Sequence, residues 1–206
     1  MDIAKLTKLG RKALPLKTCG AVIVAAGSAS RMGGIDKVMA PLGGDPMIVR
    51  TVRAFQQCEA IAEIVIVTRP DLIRPISGLC AGMDKVRAVV AGGASRQASV
   101  WLGLNALSEG IQLAAIHDGA RPLISGAVID RTVRAANSYG AAAPAIPVKD
   151  TIKIVKNGLV EETPDRATLQ AVQTPQVFDF DLLRGALKKA EEEKAAVTDD
   201  CSAVER

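Results

Sequence analysis

Aromatic side chains are almost missing from this sequence: one Trp, one Tyr and three Phe among 206 residues. With so little to stack bases on, composition argues against a single-stranded nucleic-acid surface. The core must be built from Ala, Val, Ile and Leu, which suits a sheet covered by helices. Cysteine is also scarce. Cys19, Cys58, Cys80 and Cys201 lie far apart and form no Cys-x-x-Cys pair, so neither a zinc site nor a disulfide framework is indicated. A reduced, cytoplasmic compartment is the default expectation. Histidine occurs once, so no Ser-His-Asp or Cys-His set can be assembled around His117, and no carboxylate pair stands out. No apolar run is long enough to span a membrane.

What is present is a chain 49% hydrophobic with a net charge of +4. That excludes disorder, fits one full-sized domain, and matches a small phosphorylated ligand as well as any larger anion. Residues 1–18 form a basic leader with Lys5, Lys8, Arg11, Lys12 and Lys17, expected as a frayed tail or short helix. Followed by an apolar stretch, they mimic a secretory signal. That reading is rejected, because removing the apolar stretch deletes the first strand of an otherwise regular pattern. Residues 19–206 then read as a single domain with no internal repeat.

The chain is organised around Ala21 to Lys37. Small and β-branched residues, Ala21 to Ala26, read as a buried strand. The strand breaks into Gly27-Ser28-Ala29-Ser30-Arg31-Met32-Gly33-Gly34, with Lys37 just beyond. Without bulky side chains, the backbone N–H groups of such a loop approach a ligand closely and form an anion-binding concavity. Arg and Lys add charge-assisted hydrogen bonds to phosphate oxygens. The plain alternative is a flexible turn with two solvated cations. The dinucleotide Gly-x-Gly-x-x-Gly spacing is missing, as is the Gly-Lys-Ser/Thr of a Walker loop.

Further along, Asp45-Pro46 predicts a helix N-cap and first residue, with Ile48, Val49, Val52 and Phe55 as the apolar stripe to about Gln57. Residues 64–67, 86–90, 113–116 and 141–146 read as strands, and 71–80 as a short helix or loop. Val100, Leu104 and Leu107 give a helix after Gly92-Gly93, and Ser125 caps another through about Asn137. The alternation predicts an α/β fold with a mostly parallel sheet and right-handed crossovers. Gly27, Gly92-Gly93 and Asp118 then meet at one sheet edge. Past Lys149, Lys156-Asn157-Gly158 between β-prone runs predicts a hairpin. A lone hairpin is marginal in water, so it lies either on its own domain or on another subunit as an arm. Asp179 starts a last clear helix, and Thr198-Asp199-Asp200 caps a further element.

Asp118, at a strand end beside the glycine loop, is placed to share a divalent cation with phosphate oxygens. Its plain alternative is a loop cap. His117 reads as a packed or hydrogen-bonded residue rather than a catalyst. Phosphoryl and nucleotidyl transfer ask for positioning, cations and metal more than for covalent chemistry, and Arg, Lys, Asp and glycines supply that.

Ala25-Ala26-Gly27-Ser28-Ala29-Ser30-Arg31-Met32 with Lys37, Gly92-Gly93-x-x-Arg96-x-x-Ser99-Val100 and His117-Asp118-Gly119-Ala120-Arg121-Pro122 resemble the 2-C-methyl-D-erythritol 4-phosphate cytidylyltransferase family. So do Val148-Lys149-Asp150-Thr151, Thr174-Pro175-Gln176 and Thr198-Asp199-Asp200. The resemblance implies a Rossmann-like, GT-A-like nucleotidyltransferase fold with helices on both faces and a protruding β-arm near 148–168. It implies transfer of a cytidylyl group from CTP to methylerythritol 4-phosphate with Mg²⁺, releasing pyrophosphate, in non-mevalonate isoprenoid synthesis. Arg31 and Lys37 would hold the triphosphate, with Arg166 also in a catalytic role. Ala25, Ala26, Gly27, Gly93, Ala94 and Ser99 would bind the nucleotide. Asp118 would bind ribose and metal. Arg121, Thr151, Arg166, Thr174 and Thr198 would contact the sugar-alcohol phosphate. In this family the arm is exchanged across a homodimer, which brings Thr151 and Arg166 to the neighbour's site.

Three departures stand out. Asp36 replaces the family's usual Pro before Lys37 and is expected to weaken that lysine's hold on phosphate. Ala94 stands where Asp is frequent, at a contact made mainly by backbone. The family continues past position 206 to an Asn-Ile-Lys-like segment whose lysine binds the substrate phosphate, outside this sequence. A ribitol-5-phosphate cytidylyltransferase shares the nucleotide site; Pro147 to Lys153 match the methylerythritol branch better. A non-catalytic CTP-binding module is the competing reading from another class, and a dinucleotide oxidoreductase fails on glycine spacing.

Overall fold

A computed structural model describes residues 15–27 and 36–206. Its centre is a six-stranded sheet whose strands lie in the spatial order Val86–Ala91 (β5), Glu63–Thr68 (β4), Cys19–Ala25 (β1), Leu113–Asp118 (β6), Gln176–Asp179 (β12) and Ala141–Ala142 (β7). The parallel part comprises β1 (Cys19–Ala25), β4 (Glu63–Thr68), β5 (Val86–Ala91) and β6 (Leu113–Asp118). After β1 the chain fills one side through β4 and β5, then returns to the other side at β6. The order therefore reverses at β1, and a crevice opens outside its carboxyl end.

Alternation along β1 explains the layers. Ala21, Ile23 and Ala25 face a core shared with α1 (Met47–Gln56), α2 (Ile73–Leu79) and α4 (Gly126–Tyr139). Val22 faces the opposite core, shared with α3 (Arg96–Ala106), α5 (Phe180–Glu192) and α6 (Asp200–Val204). Burying a Val or Ile side chain fully contributes roughly 1.5–3 kcal/mol. A strand buried on both faces therefore stabilises the sheet through aliphatic side chains, but Phe55 and Phe178 are also fully buried in the two cores, where composition alone pointed to Ala, Val, Ile and Leu.

Several expectations change in detail. The strand expected over 141–146 divides into β7 (Ala141–Ala142) and β8 (Ala145–Pro147), which belong to different sheets. Pro144 between them has no N–H for a ladder. An unexpected strand, β12 (Gln176–Asp179), runs antiparallel to both β6 and β7. Asp45 is not a helix cap. It sits with Pro46 in β3 (Asp45–Pro46), paired with β2 (Pro41–Leu42), and its carboxylate takes Arg53 at 2.6 Å. The first N–H groups of α1, those of Met47 and Ile48, donate instead to Ala40 and Val38 carbonyls, both at 2.9 Å. That satisfies the helix start through backbone alone. Residues 71–80 hold α2. The caps expected at Ser125, Asp179 and Asp199 are all formed.

Of the basic leader, Lys17 belongs to the domain: its ammonium meets Asp179 at 2.7 Å and its N–H meets Asn137. The rest of the leader, residues 1–14, lies outside the described residues. Among the described residues no helix is long and apolar enough to cross a membrane.

The hairpin forms where Asn157-Gly158 predicts it. It joins β9 (Ile154–Lys156) to β10 (Leu159–Glu162), with φ of 53° and 79° at the two turn residues. Those angles suit Asn and Gly and match the twist of the flanking strands. Its root is a second ribbon, β8 with β11 (Gln170–Val172). Among the described residues both ribbons pair only within themselves. Val155, Leu159 and Val160 are exposed by 57%, 75% and 60%, so among the described residues this chain's own domain does not cover the arm.

Candidate active site

Four segments converge at the carboxyl edge of the parallel strands. Register places Val24 beside Asp118 and Ala25 beside Thr68. The Gly119 N–H donates to Val24 O at 2.8 Å, and the Gly92 N–H to Thr68 O at 2.8 Å. These bonds lock the loops after β1, β5 and β6 side by side. A Cβ added at Gly92 would fall 2.3 Å from the Ala26 Cβ and 2.9 Å from Ser99 Oγ. The glycine is therefore required by close approach, and Ala26 and Gly92 touch across the mouth of the crevice.

Ser95 caps α3 by accepting the Ala98 N–H at 3.0 Å. Buried Ser99, one turn on, donates to Ser95 O at 2.8 Å and accepts the Gly93 N–H at 3.1 Å. The Gly93-Ala94 backbone is thus fixed by a side chain, while both residues stay exposed. The expected nucleotide-binding residues Ala25, Ala26, Gly27, Gly93, Ala94, Ser99 and Asp118 all lie on this edge.

Asp118 sits between two guanidinium groups. Arg121 Nε meets its Oδ2 at 2.8 Å, while Arg96 Nη2 stands 3.7 Å from its Oδ1. Arg96 turns its other nitrogen, Nη1, to Asp200 Oδ2 at 2.8 Å. Asp200 is 2% exposed, and that oxygen has no aligned hydrogen-bond donor among the described residues, so charge holds the pair. Burial raises the Asp200 carboxyl above the ordinary range, with Arg96 pulling the other way. Burial also works against the neighbouring Asp199. The Ser202 N–H, Gln176 and Arg96 outweigh it and hold Asp199 below the usual range.

Behind Asp118 lies a buried relay. Burial pushes His117 down to about 4, so its ring is neutral. Nε2 lies 3.3 Å from Arg121 O, which can only accept, so the proton is assigned to Nε2. Nδ1 then accepts from the Thr174 hydroxyl at 2.9 Å, and the Asp118 N–H points to the same hydroxyl oxygen at 3.5 Å. The expectation that His117 is a hydrogen-bonded core residue holds. The hydroxyl of Thr174 is already engaged, and its side chain fixes the Asp118–Arg121 turn. Gln173 accepts a hydrogen bond from Arg121 Nη1.

Gln176 was legible only as part of a motif. Buried in β12, its Oε1 accepts the Asp200 and Cys201 N–H groups, each at 3.0 Å, and its Nε2 meets Asp199 at 2.6 Å. It thereby seats the amino end of α6, and Thr198 beside it, against the crevice. A cavity of about 250 Å³ connects Ser95 and Arg96 with Thr198 and Asp200. A larger one, about 760 Å³, lies beyond Arg121, lined by Leu123, Arg131, Ile146 and Gln173 among others.

Lys37 is exposed and held at the same edge from two sides. Asp36 before it pairs with Arg69 at 2.6 Å, just past β4; Val38 after it is buried and accepts the Ile48 N–H. The Asp36 carboxylate is thus turned onto Arg69 and its own loop rather than left free beside Lys37. Arg31 lies outside the described residues. Thr151 and Arg166 are exposed in the arm, where Arg166 Nη1 donates to Lys149 O at 3.0 Å.

Among the described residues no cluster of three or more His, Cys, Asp or Glu is placed to hold a metal ion. Hard Mg²⁺ needs only one or two protein carboxylates when phosphates supply the remaining oxygens. A single half-exposed Asp118 fits a cation that arrives with a nucleotide, not a caged one.

A family model described as 2-C-methyl-D-erythritol 4-phosphate cytidylyltransferase (IspD) matches residues 19–206. A relative of that name from Symbiobacterium thermophilum is 46% identical over 187 residues, spanning 90% of this chain and 78% of the relative. One from Geobacillus kaustophilus is 44% identical, spanning 90% and 82%. The crystal structure of 4-diphosphocytidyl-2C-methyl-D-erythritol synthase from Anaerococcus prevotii superposes with a TM-score of 0.83 at 31% identity, covering 92% of this chain and 82% of the other.

Proposed function

Because the chain belongs to the 2-C-methyl-D-erythritol 4-phosphate cytidylyltransferase family, we propose a division of labour within its crevice for that family's reaction. The chain is a nucleotidyltransferase acting in isoprenoid precursor synthesis. A phosphate oxygen of 2-C-methyl-D-erythritol 4-phosphate bonds to the α-phosphorus of CTP, the α–β bridge breaks, and pyrophosphate leaves. The observation that carries the reading is the convergence of Ala26, Gly93, Ser99 and Asp118 on one sheet edge.

The nucleotide half lies along β1 and the start of α3. The backbones of Ala25, Ala26, Gly93 and Ala94, with the Gly93 N–H fixed by Ser99, leave room for a pyrimidine and crowd a purine. Arg31 and Lys37 hold the triphosphate and stabilise the negative charge that builds on the α-phosphate. Asp118 meets the ribose and a divalent cation, Mg²⁺, which supplies charge neutralisation when bound.

The acceptor half lies between Arg121 and α6. Arg121 and Thr198 face the sugar-alcohol phosphate, and Thr174 holds the turn that presents Arg121. Thr151 and Arg166 belong to an arm this chain's own domain does not cover, whose apolar side chains match an apolar cleft beyond Arg121. We assign the arm to a homodimer in which Thr151 and Arg166 complete the partner's acceptor site. The protein is read as a cytoplasmic enzyme.

Pyrophosphate release with CTP and each of two acceptors, methylerythritol 4-phosphate and ribitol 5-phosphate, tests the reading. Turnover with the first is expected; preference for ribitol phosphate, or CTP binding with no pyrophosphate, overturns it. Mixing Lys37→Ala with Arg166→Ala chains tests the shared site. Each alone is expected to be nearly inactive, and the mixture to regain about a quarter of the activity, since statistical pairing leaves one intact site in half of the dimers.

A further inference from the structure

Resting on the reading of Asp118 as the carboxylate that meets the nucleotide's cation, we propose that Asp200 is a positioning residue. It draws Arg96 away from Asp118 and leaves that carboxylate open to the cation. The two contacts of Arg96 are unequal. Its guanidinium is 2.8 Å from Asp200 Oδ2 and 3.7 Å from Asp118 Oδ1. The second distance is too long for a hydrogen bond.

The other Asp118 oxygen, Oδ2, is taken by Arg121 at 2.8 Å. Oδ1 is therefore the side on which a cation can be received, and it is the side Arg96 approaches. A guanidinium seated at hydrogen-bond distance there would compete directly with the cation.

Asp200 is built to prevent that. It is 2% exposed and is the first residue of α6, with its N–H fixed on Gln176 Oε1 at 3.0 Å. The capping box between Asp199 and Ser202 fixes the same turn. A carboxylate buried this deeply requires a paired cation, and Arg96 supplies the 2.8 Å partner. Arg96 is the first residue of α3, and its side chain bridges the two helix starts, within reach of Asp118 but drawn to Asp200. A fixed buried anion thus holds a cation at a set remove from the working anion.

The test is the gain in CTP affinity that Mn²⁺ confers, measured by calorimetry as the ratio of CTP dissociation constants with EDTA and with Mn²⁺. No acceptor is present, so no turnover intervenes. Asp200→Asn is expected to cut this gain about tenfold, in the range seen when partners of metal ligands are removed. The double variant Arg96→Gln with Asp200→Asn is expected to recover it to within about twofold of the parent, because the competing guanidinium is gone. Both chains lose the same carboxylate, so a purely structural role for Asp200 lowers both alike. Asp118→Asn is expected to abolish the gain. If it does, while Asp200→Asn matches the parent or the double variant stays as poor as the single, the role of Asp200 is overturned alone. If Asp118→Asn keeps the full gain, the reading beneath it falls as well.

Discussion

The hydroxyl of Thr174 lies 2.9 Å from Nδ1 of His117, a bond between a strand-end ring and a residue that enters the sheet from the opposite direction. It ties the two halves of the crevice together behind Asp118, and it depends on a neutral imidazole. His117 has a folded value of about 4 against 6.5 for the free side chain. As pH falls through 6.5 the unfolded chain takes up this proton first, so stability declines between 6.5 and 4. The full window amounts to roughly 3 kcal/mol. His117→Phe removes the titration. In urea unfolding it is expected to be less stable than the parent at pH 8, with the gap narrowing as pH drops to 4.5. A gap that stays constant refutes the neutral assignment.

Ala26 and Gly92 touch, and Gly92→Ala forces a methyl to within 2.3 Å of the Ala26 Cβ. Overpacking of this kind costs about 1–3 kcal/mol of stability. Since the strain falls where we propose that the nucleotide is read, CTP affinity by calorimetry is expected to drop at least about tenfold, or 1.4 kcal/mol. A chain destabilised by that much but binding CTP normally contradicts the placement of the base.

Lys37 is exposed and lies outside the buried core. Lys37→Ala is expected to lower kcat/KM about 100-fold, the usual scale for losing one group that stabilises developing charge. Unfolding free energy is expected to shift by less than about 0.5 kcal/mol, as for other surface positions. Equal losses of both mark Lys37 as structural.

The Asp36–Arg69 pair, at 2.6 Å, removes an anion from beside Lys37. Arg69→Gln frees that carboxylate and is expected to raise KM for CTP roughly three- to fivefold at low salt, less at high salt. Adding Asp36→Asn is expected to restore the parent value. A KM unmoved by Arg69→Gln shows that Asp36 beside Lys37 is silent.

Leu159 is 75% exposed at the tip of the arm. Leu159→Asp together with Val155→Asp is expected to shift the protein from dimer to monomer in sedimentation velocity, with unchanged circular dichroism. Activity is expected to fall with the dimer fraction. A monomeric parent refutes the shared site.

Much of this arrangement was readable from residue types. The run of small and β-branched residues from Ala21 announces a buried strand, and Asn157-Gly158 announces the hairpin, because each reports a local physical requirement. The edge position of Asp118 followed from strand alternation. What remained hidden was non-local. β12 is four residues long, too short for a period, and antiparallel order is not written in composition. The ion pair of Arg96 with Asp200 joins the starts of two helices far apart in the chain. Asp45 misled because a backbone carbonyl can replace a side-chain cap, and only the path of residues 38–40 shows that it does.

The reversed direction of β12 has a consequence for how the polypeptide is made. Synthesis delivers β1, β4, β5 and β6 first, and the outer flank of β6 waits with unpaired N–H and C=O groups until Gln176 to Asp179 emerge. A bare edge of Ala and Ile is a template for another chain. Ribosome-bound fragments halted before Gln176 are thus the stage at which this protein is most prone to stick to its own kind, and a chaperone has most reason to shield it there.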